Sequence, residues 1–296
     1  MNSLYILQAY PPKILFLNLE TNESKTIKTL ENQVLDGITI DFESKRIYWS
    51  SMGKSIPDGE NFLDADGSIE SCDLNGQFHQ VINRIGEIIT PKQLILSRKD
   101  KRLYWCDREG MAVMTSLTNG NGVKTLYSTG EWPRDSSDKR RHCVGIAIDH
   151  MNKFIYWTQK GPEKGGKGRI FKAPLDFTSS NDVRLAGKPV LLLDNLPEPI
   201  DLEFSVSGNT LYWTDRGCSK NGGNSLNSAT VSEEGLSEHI IVATGFDEAI
   251  GLTIDDNIGC MYVSDLSGAI WRISLNDGEK SLVFKCDGLA TGISIA

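Results

Sequence analysis

One four-residue phrase recurs along this 296-residue chain and constrains its fold more than any other feature. Its five copies read Tyr-Trp-Ser-Ser, Tyr-Trp-Cys-Asp, Tyr-Trp-Thr-Gln, Tyr-Trp-Thr-Asp and Tyr-Val-Ser-Asp, and they begin at Tyr48, Tyr104, Tyr156, Tyr212 and Tyr262. Successive copies start 50 to 56 residues apart. A fixed period of this length is the signature of a repeat architecture.

A second short segment, largely apolar and β-branched, precedes each copy. It occupies residues 37–41, 93–97, 145–149, 201–205 and 251–255. The chain closes with this segment alone, at 292–296, and opens with the missing partner, at 4–7. The two ends of the chain therefore complete a sixth unit between them.

Each unit predicts a four-stranded antiparallel sheet. In the last complete unit the strands are predicted at 251–254, 261–264, 269–273 and 281–284, with turn residues between them. Strands that are apolar on both faces need cover on both sides, which a ring of radially packed sheets provides. The Tyr and Trp side chains suit the wedges between sheets, and glycine opening four of the six first strands indicates crowding near an axis.

These repeats predict an all-β fold: a six-bladed β-propeller of four-stranded antiparallel blades, with one blade closed by the N- and C-terminal strands. We expect residues 1–296 to form a single propeller domain, because the split sixth unit ties the two ends together. The phrase at 212–215, its variants and the segments before them resemble the YWTD repeats of the low-density lipoprotein receptor family. The resemblance covers the whole chain and implies the same six-bladed propeller with a shared terminal blade.

The sequence departs from the receptors, since it lacks the cysteine-rich growth-factor-like modules that flank their propellers, so receptor biology is not carried over. Other stand-alone six-bladed propellers, of the gluconolactonase-like and strictosidine-synthase-like families, are enzymes with small-molecule pockets at the axis. That is an analogy of architecture, and fold alone does not determine function.

The composition of the chain limits which binding partners and which cellular compartment we expect. A net charge of −8 gives no electrostatic reason to expect nucleic acid or an anionic membrane as partner. No apolar run approaches the roughly 20 residues that span a bilayer. The six cysteines show no CxxC pair, and the first residues are needed as strands rather than as a leader. We therefore expect free thiols and a cytoplasmic location.

Long loops are predicted on one face only. They follow a second strand or lead into the next unit, and they occupy residues 52–66, 130–142, 160–167 and 216–227. Loops of this length on a rigid scaffold commonly carry function, although glycine-rich stretches are also typical of solvated loops. Trp132 and Arg134 are predicted to contact a ligand as parts of a lid. The alternative for Trp132 is packing against a blade edge.

Aligning the units predicts a ring of polar and ionisable side chains around the axis at this face. Its members are Asp36, Lys92, Gln93, His142, Glu198, Asp201, Glu248 and Thr291. Carboxylates that lie close together raise one another's pKa and can exchange protons. The predicted acid and base groups are His142, first, then Asp36, Asp201 and Glu248. Lys92, Gln93, Glu198 and Thr291 join Trp132 and Arg134 as predicted substrate-binding residues, the alternative for each being a solvated polar group.

Other chemistry has weak support in the sequence. The four carboxylates of the ring offer oxygen ligands to Ca²⁺ or Mg²⁺, but no local metal motif is recognisable, so we expect no metal or other cofactor. No GxSxG, HExxH, P-loop or dinucleotide fingerprint occurs. Cys106 replaces the Thr of the repeat in mid-strand, which favours a core position over a nucleophile.

Two functions remain open from the sequence. The first is an intracellular protein that binds a small molecule at the axial mouth and acts on it as a cyclase, isomerase or lactonase-like hydrolase. The alternative is a non-catalytic propeller that binds a protein partner on the same face. An enzyme should have a deep pocket at the mouth, whereas an interaction platform should show a broad, shallow apolar patch.

Overall fold

The computed structural model describes residues 3–54, 62–179, 182–232 and 235–296. Its strands form six antiparallel sheets arranged in a ring, each with the order expected for a propeller blade. The innermost strand of each sheet contacts the innermost strand of the next, and the sixth returns to the first. The predicted all-β, six-bladed propeller is confirmed.

Blades are numbered along the chain, and their strands are given from the axis outward. Blade 1 consists of β25 (Leu289–Ile295), β1 (Ser3–Tyr10), β2 (Lys13–Asn18) and β3 (Ser24–Thr29). Blade 2 consists of β4 (Leu35–Asp41), β5 (Arg46–Ser51), β6 (Ser68–Asp73) and β7 (Gln80–Val81). Blade 3 consists of β8 (Pro91–Ser97), β9 (Arg102–Asp107), β10 (Ala112–Leu117) and β11 (Lys124–Ser128).

The second half of the ring follows the same plan. Blade 4 consists of β12 (Cys143–Asp149), β13 (Phe154–Gln159), β14 (Gly168–Ser179) and β16 (Val190–Leu196), with β15 (Asp182–Leu185) extending the β14 hairpin. Blade 5 consists of β17 (Pro199–Ser205), β18 (Thr210–Asp215), β19 (Ser225–Ser232) and β20 (Gly235–Thr244). Blade 6 consists of β21 (Ala249–Asp255), β22 (Cys260–Asp265), β23 (Ala269–Ser274) and β24 (Lys280–Lys285).

Chain closure within blade 1 is made by the two terminal strands. β25 pairs antiparallel with β1, with Leu4 opposite Ile295 and Ile6 opposite Ile293. The amide of Ala296 donates to the Ser3 carbonyl at 2.8 Å, next to that pairing. The split sixth unit predicted from the sequence is therefore one continuous sheet.

The aromatic residues of the repeat form the contacts between blades. Trp49, Trp105, Trp157 and Trp213 are all completely buried. The Tyr of one blade shares a cluster with the Trp of the next, as Tyr104 does with Trp157. Each buried aromatic removes some 150–250 Å² from water, roughly 4–6 kcal/mol of gross hydrophobic free energy at about 25 cal/mol/Å². The repeated aromatics thus hold neighbouring blades together.

The inner strands differ from the prediction in one respect. Glycine does not open them, because each strand begins two or three residues earlier and its glycine lies at a β-bulge, as between Leu35 and Ile38. A Cβ on Gly145 would lie 2.1 Å from the Ile200 carbonyl oxygen of the next blade. The predicted crowding is real, but it lies inside the strand, where neighbouring inner strands touch.

Two short 3₁₀ turns, Lys139–Arg141 and Ser219–Asn221, are the helical elements of the described chain. Neither these nor any other helix in the described residues has the length and apolarity needed to cross a bilayer.

Candidate functional site

The axis is filled by six side chains at the level of the bulges. These are Asp36, Lys92, Val144, Ile200, Ile250 and Thr291, one from each inner strand. Each is at most 8% exposed, and Val144, Ile200 and Ile250 form one apolar cluster. We call this layer the axial plug. It divides the axis into a mouth on the long-loop face and a lower half.

The polar half of the plug contains three of the predicted site residues. Lys92 Nζ donates a hydrogen bond to Asp36 Oδ2 and lies 3.2 Å from the Met52 sulfur. Thr291 Oγ1 donates to the Leu35 carbonyl at 3.0 Å. Asp36 and Lys92 thus neutralise each other, and Thr291 joins two adjacent blades.

Gln93 and Asp201 each directly follow a plug residue in the sequence and lie on the side of the plug away from the mouth. They occupy the position that is glycine in the other four blades, and both line a cavity in the lower half of the axis. The structure therefore separates these two residues from the other members of the predicted ring.

Above the plug, three consecutive blades each contribute a cation directly after the second strand. Arg108 follows β9, Lys160 follows β13 and Arg216 follows β18. Arg108 and Lys160 are 8% and 7% exposed, and the Arg216 side chain is 20% exposed. Three cations in adjacent blades are thereby held in largely dehydrated positions around one mouth.

Carboxylates of the mouth bind these cations. Glu198 is completely buried, and its Oε1 accepts from Lys160 Nζ at 3.0 Å and from Arg216 at 2.8 Å. Glu248 lies 3.2 Å from Lys164 Nζ and 3.7 Å from the Arg216 guanidinium. Glu198 and Glu248, both predicted from the sequence, therefore share one ionic network.

Cations and carboxylates balance in this network. Five cations (Lys92, Arg108, Lys160, Lys164 and Arg216) are paired with five carboxylates (Asp36, Glu109, Glu163, Glu198 and Glu248). The set carries a net charge of 5 − 5 = 0, in a chain whose net charge is −8. The network is therefore less acidic than the chain as a whole.

The pKa of Lys160 responds to burial and to the neighbouring charges. Burial lowers this pKa below its usual value, Glu198 opposes the shift, and the nearby charges of Arg216 and Arg108 lower the pKa further. An additional negative charge at the mouth would therefore stabilise the protonated amine.

His142 lies beside this network. Its Nε2 is 2.7 Å from the Ser136 carbonyl oxygen, which only an N–H can satisfy, so Nε2 carries a proton. Nδ1 lies 4.0 Å from Glu109 Oε1, and Glu109 is held by both its oxygens on Arg108 Nε at 2.7 and 2.8 Å. Burial lowers the pKa of His142, so at neutral pH the imidazole is uncharged and Nδ1 can accept a proton.

The loop at 130–142 uses most of its own charges internally. Arg134 pairs with Glu131 at 2.7 Å and with Asp135 at 2.8 Å, and Trp132 is 38% exposed. Contact of Trp132 and Arg134 with a ligand remains a prediction. Part of the loop predicted at 52–66, residues 55–61, lies outside the described residues.

The carboxylates of the predicted ring contact other groups of the protein and do not lie together as metal ligands. Asp36 is paired with Lys92, Glu198 with two cations, and Asp201 accepts backbone N–H groups from Leu202 and Leu252. Within the described ranges, no three His, Cys, Asp or Glu side chains lie close enough together to hold a metal ion.

Sequence reasoning missed Arg108, Glu109, Lys160, Lys164 and Arg216. A signal for three of them was present, because the position after the four-residue phrase is Arg, Lys and Arg in blades 3, 4 and 5, whereas blades 2 and 6 have Met52 and Leu266. Reading one position past the repeat would have identified the cations.

Two proteins are similar in sequence to the chain over most of its length. The chain is 43% identical over 274 residues to Low-density lipoprotein receptor-related protein 1 of Pyricularia oryzae, which covers 88% of the chain and 84% of that protein. It is 36% identical over 297 residues to a 3-hydroxyacyl-CoA dehydrogenase-like protein of Cochliobolus heterostrophus, over 96% of the chain and 60% of that protein. No family model matches the chain.

Solved structures with this fold include a binding protein and enzymes. A chain from the nidogen/laminin complex has a TM-score of 0.74 at 18% identity, over 99% of this chain and 97% of its own. A gluconolactonase from Xanthomonas campestris has a TM-score of 0.66 at 13% identity, over 98% and 87%. A luciferin-regenerating enzyme has a TM-score of 0.60 at 12% identity, over 87% and 78%. At these identities the likeness shows the fold alone.

Proposed function

Since the chain belongs to the YWTD-repeat propeller family related to the low-density lipoprotein receptor, we propose its function from what distinguishes its own blades. It binds a small molecule with a carboxylate or phosphate group at the mouth above the axial plug. The observation that carries this proposal is the run of dehydrated cations at Arg108, Lys160 and Arg216. A bound anion adds negative charge beside these cations, where little water is present to screen it.

Proton transfer to or from the bound molecule is the second part of the proposal. His142 has an unprotonated Nδ1, and the nearby Glu109 carboxylate stabilises the imidazolium that forms when Nδ1 accepts a proton. This is the acid–base chemistry that a lactonase-like hydrolase, isomerase or cyclase requires. Six-bladed propellers with enzyme names, such as the gluconolactonase, support an enzyme on this scaffold.

The axial plug limits where the reaction can occur. Because the axis is filled at the level of Asp36 and Lys92, the ligand lies above them rather than in a deep channel. We place the protein in a reducing compartment, the cytoplasm, which is supported by six free thiols, five of them buried.

The first test is binding of simple anions to the full chain. Titration calorimetry with inorganic phosphate and citrate should show binding that Lys160→Gln weakens at least tenfold, because the variant removes one dehydrated charge. The matched control is Lys139→Gln, an exposed lysine on the same face, which should bind as the unaltered chain does. Equal affinity in Lys160→Gln and the unaltered chain, or no binding of either anion, would contradict the proposal.

A protein partner on the same face is the second candidate function. Trp132 is exposed on a loop where Arg134 pairs with both Glu131 and Asp135, and Trp and Arg are the residues that most often dominate protein interfaces. The structure containing nidogen was determined with laminin, a protein. If this candidate is right, Trp132→Ala should abolish capture of a protein partner and leave phosphate binding unchanged.

A further inference from the structure

A separate cavity occupies the lower half of the axis, on the other side of the plug from the mouth. It has a volume of about 240 Å³ and is lined by inner strands of all six blades. Aliphatic residues such as Ile38, Leu94, Ile146 and Leu252 lie along it, but the surface that faces the cavity is mainly polar. That volume corresponds to about eight water molecules at ~30 Å³ each, enough for a small organic molecule.

Two blades place a polar side chain at the upper end of this cavity where the others have glycine. Gln93 and Asp201 replace the glycines of the other inner strands, although those glycines touch the neighbouring backbone. Gln93 is 4% exposed, and among the described residues its Nε2 amide group has no hydrogen-bond partner. A buried donor without an acceptor is unfavourable, and an oxygen atom of a ligand in the cavity would supply the missing acceptor.

Asp201 and Glu203 place carboxyl groups, which accept hydrogen bonds and can carry negative charge, in the same cavity. They lie two residues apart on β17, and both line the cavity. Both oxygens of Asp201 accept backbone N–H groups, from Leu202 at 2.9 Å and from Leu252 at 3.1 Å. The Glu203 side chain forms no hydrogen bond or ion pair with any residue that the structure describes, so its carboxyl group is available to a ligand.

No neighbouring cation neutralises the Glu203 carboxylate among the residues that the structure describes. Asp201 lies on its own strand, Tyr212 is opposite it on β18, Asp256 comes from blade 6, and Arg98 lines the cavity but donates to the Ile40 carbonyl at 3.1 Å. Burial, then the negative charge of Asp256, raises the pKa of Glu203 to about 8. A cation bound in the cavity would reverse this shift.

We propose that the lower axial cavity binds a small organic cation of the amino-alcohol class. Its ammonium group contacts the Glu203 carboxylate beside Asp201, and its oxygen accepts from Gln93 Nε2. This site is independent of the anion-binding mouth, because the axial plug lies between them.

Ethanolamine is the probe for the test, with ethylene glycol as the uncharged control. Calorimetry on the full chain at pH 8.5 should detect ethanolamine binding. The affinity should be at least tenfold lower in Glu203→Gln. It should be several-fold lower in Gln93→Gly, which introduces the glycine that four other blades have at this position. Lys160→Gln should bind ethanolamine normally, which separates this proposal from the anion site. Equal affinity in Glu203→Gln, no ethanolamine binding, or equal binding of ethylene glycol would overturn it.

The pH dependence tests the same contact without a substitution. Glu203 must lose its proton to bind an ammonium ion, so affinity should rise about tenfold per pH unit up to about 8 and level off above it. A flat profile between pH 6 and 8 would overturn the proposal.

Discussion

At the scale of single residues, the third position of the repeat works as a bridge between blades. Thr158 Oγ1 accepts from the Gly145 amide at 2.7 Å and donates to the Ile200 carbonyl of blade 5 at 2.9 Å. Thr214 makes the same two contacts, with Asp201 and Ile250. At the fourth position, Asp215 accepts the Glu198 amide at 2.7 Å. The phrase therefore joins one blade to the next and orients the chain that enters it.

Thr158→Val should destabilise the propeller. The valine keeps the shape but leaves a buried amide and a buried carbonyl unpaired, so we expect a loss of about 1–3 kcal/mol in the free energy of unfolding. Urea denaturation measures this loss. Thr125→Val on the exposed outer strand β11 is the control and should change stability by no more than about 0.5 kcal/mol. Equal midpoints for the two variants would show that the bridge contributes nothing.

At the scale of elements, the inner strands are spaced by their bulge glycines. Gly37, Gly145, Gly251 and Gly292 each place their Cα within contact of the next inner strand, where a Cβ would be 2.1–2.6 Å from a backbone atom. Gln93 and Asp201 break this pattern in two blades and line the lower cavity. Where the bulge glycine is replaced, a polar side chain lines the axis.

Gly145→Ala should be more destabilising than an alanine substitution elsewhere. The added methyl group meets the Ile200 carbonyl, so blades 4 and 5 must separate, at a cost of about 1–3 kcal/mol or more. Thermal unfolding of Gly145→Ala and of Gly187→Ala, whose Cβ would lie 3.3 Å from a Pro174 side-chain atom, provides the comparison. A smaller loss in Gly145→Ala than in Gly187→Ala would refute the crowding argument.

At the scale of the whole molecule, closure depends on β25. This strand supplies the inner edge of blade 1, and its Thr291 donates to Leu35 in blade 2. Removing it exposes the inner edge of β1 and the wall of blade 2 together. We therefore expect the ring to unfold as one cooperative unit rather than as six independent sheets.

A circular permutant should keep the fold, whereas removal of residues 289–296 should abolish cooperative unfolding. Ser3 and Ala296 already exchange hydrogen bonds, so a short linker can join the ends, with new ends opened between Gly165 and Gly166 in an exposed loop. Circular dichroism during heating distinguishes the two proteins. A cooperative transition in the truncated chain would show that closure by β25 is dispensable.

The sequence by itself determined the six-bladed ring, the shared terminal blade and the structural use of the Tyr-Trp phrase. It could do so because those contacts repeat, and a repeated contact leaves a period that one chain can show. Glu198, Glu248 and His142 were also placed at the mouth by this period, since strand ends recur with the repeat.

Only the tertiary structure decided which polar residues meet. Asp36 and Lys92 are 56 residues apart and neutralise each other in the plug, whereas Lys92 and its neighbour Gln93 lie on different levels of the axis. The cations at Arg108, Lys160 and Arg216 come together because three blades converge on one mouth. Pairing and burial depend on side-chain positions across blades, and no period in the sequence records them.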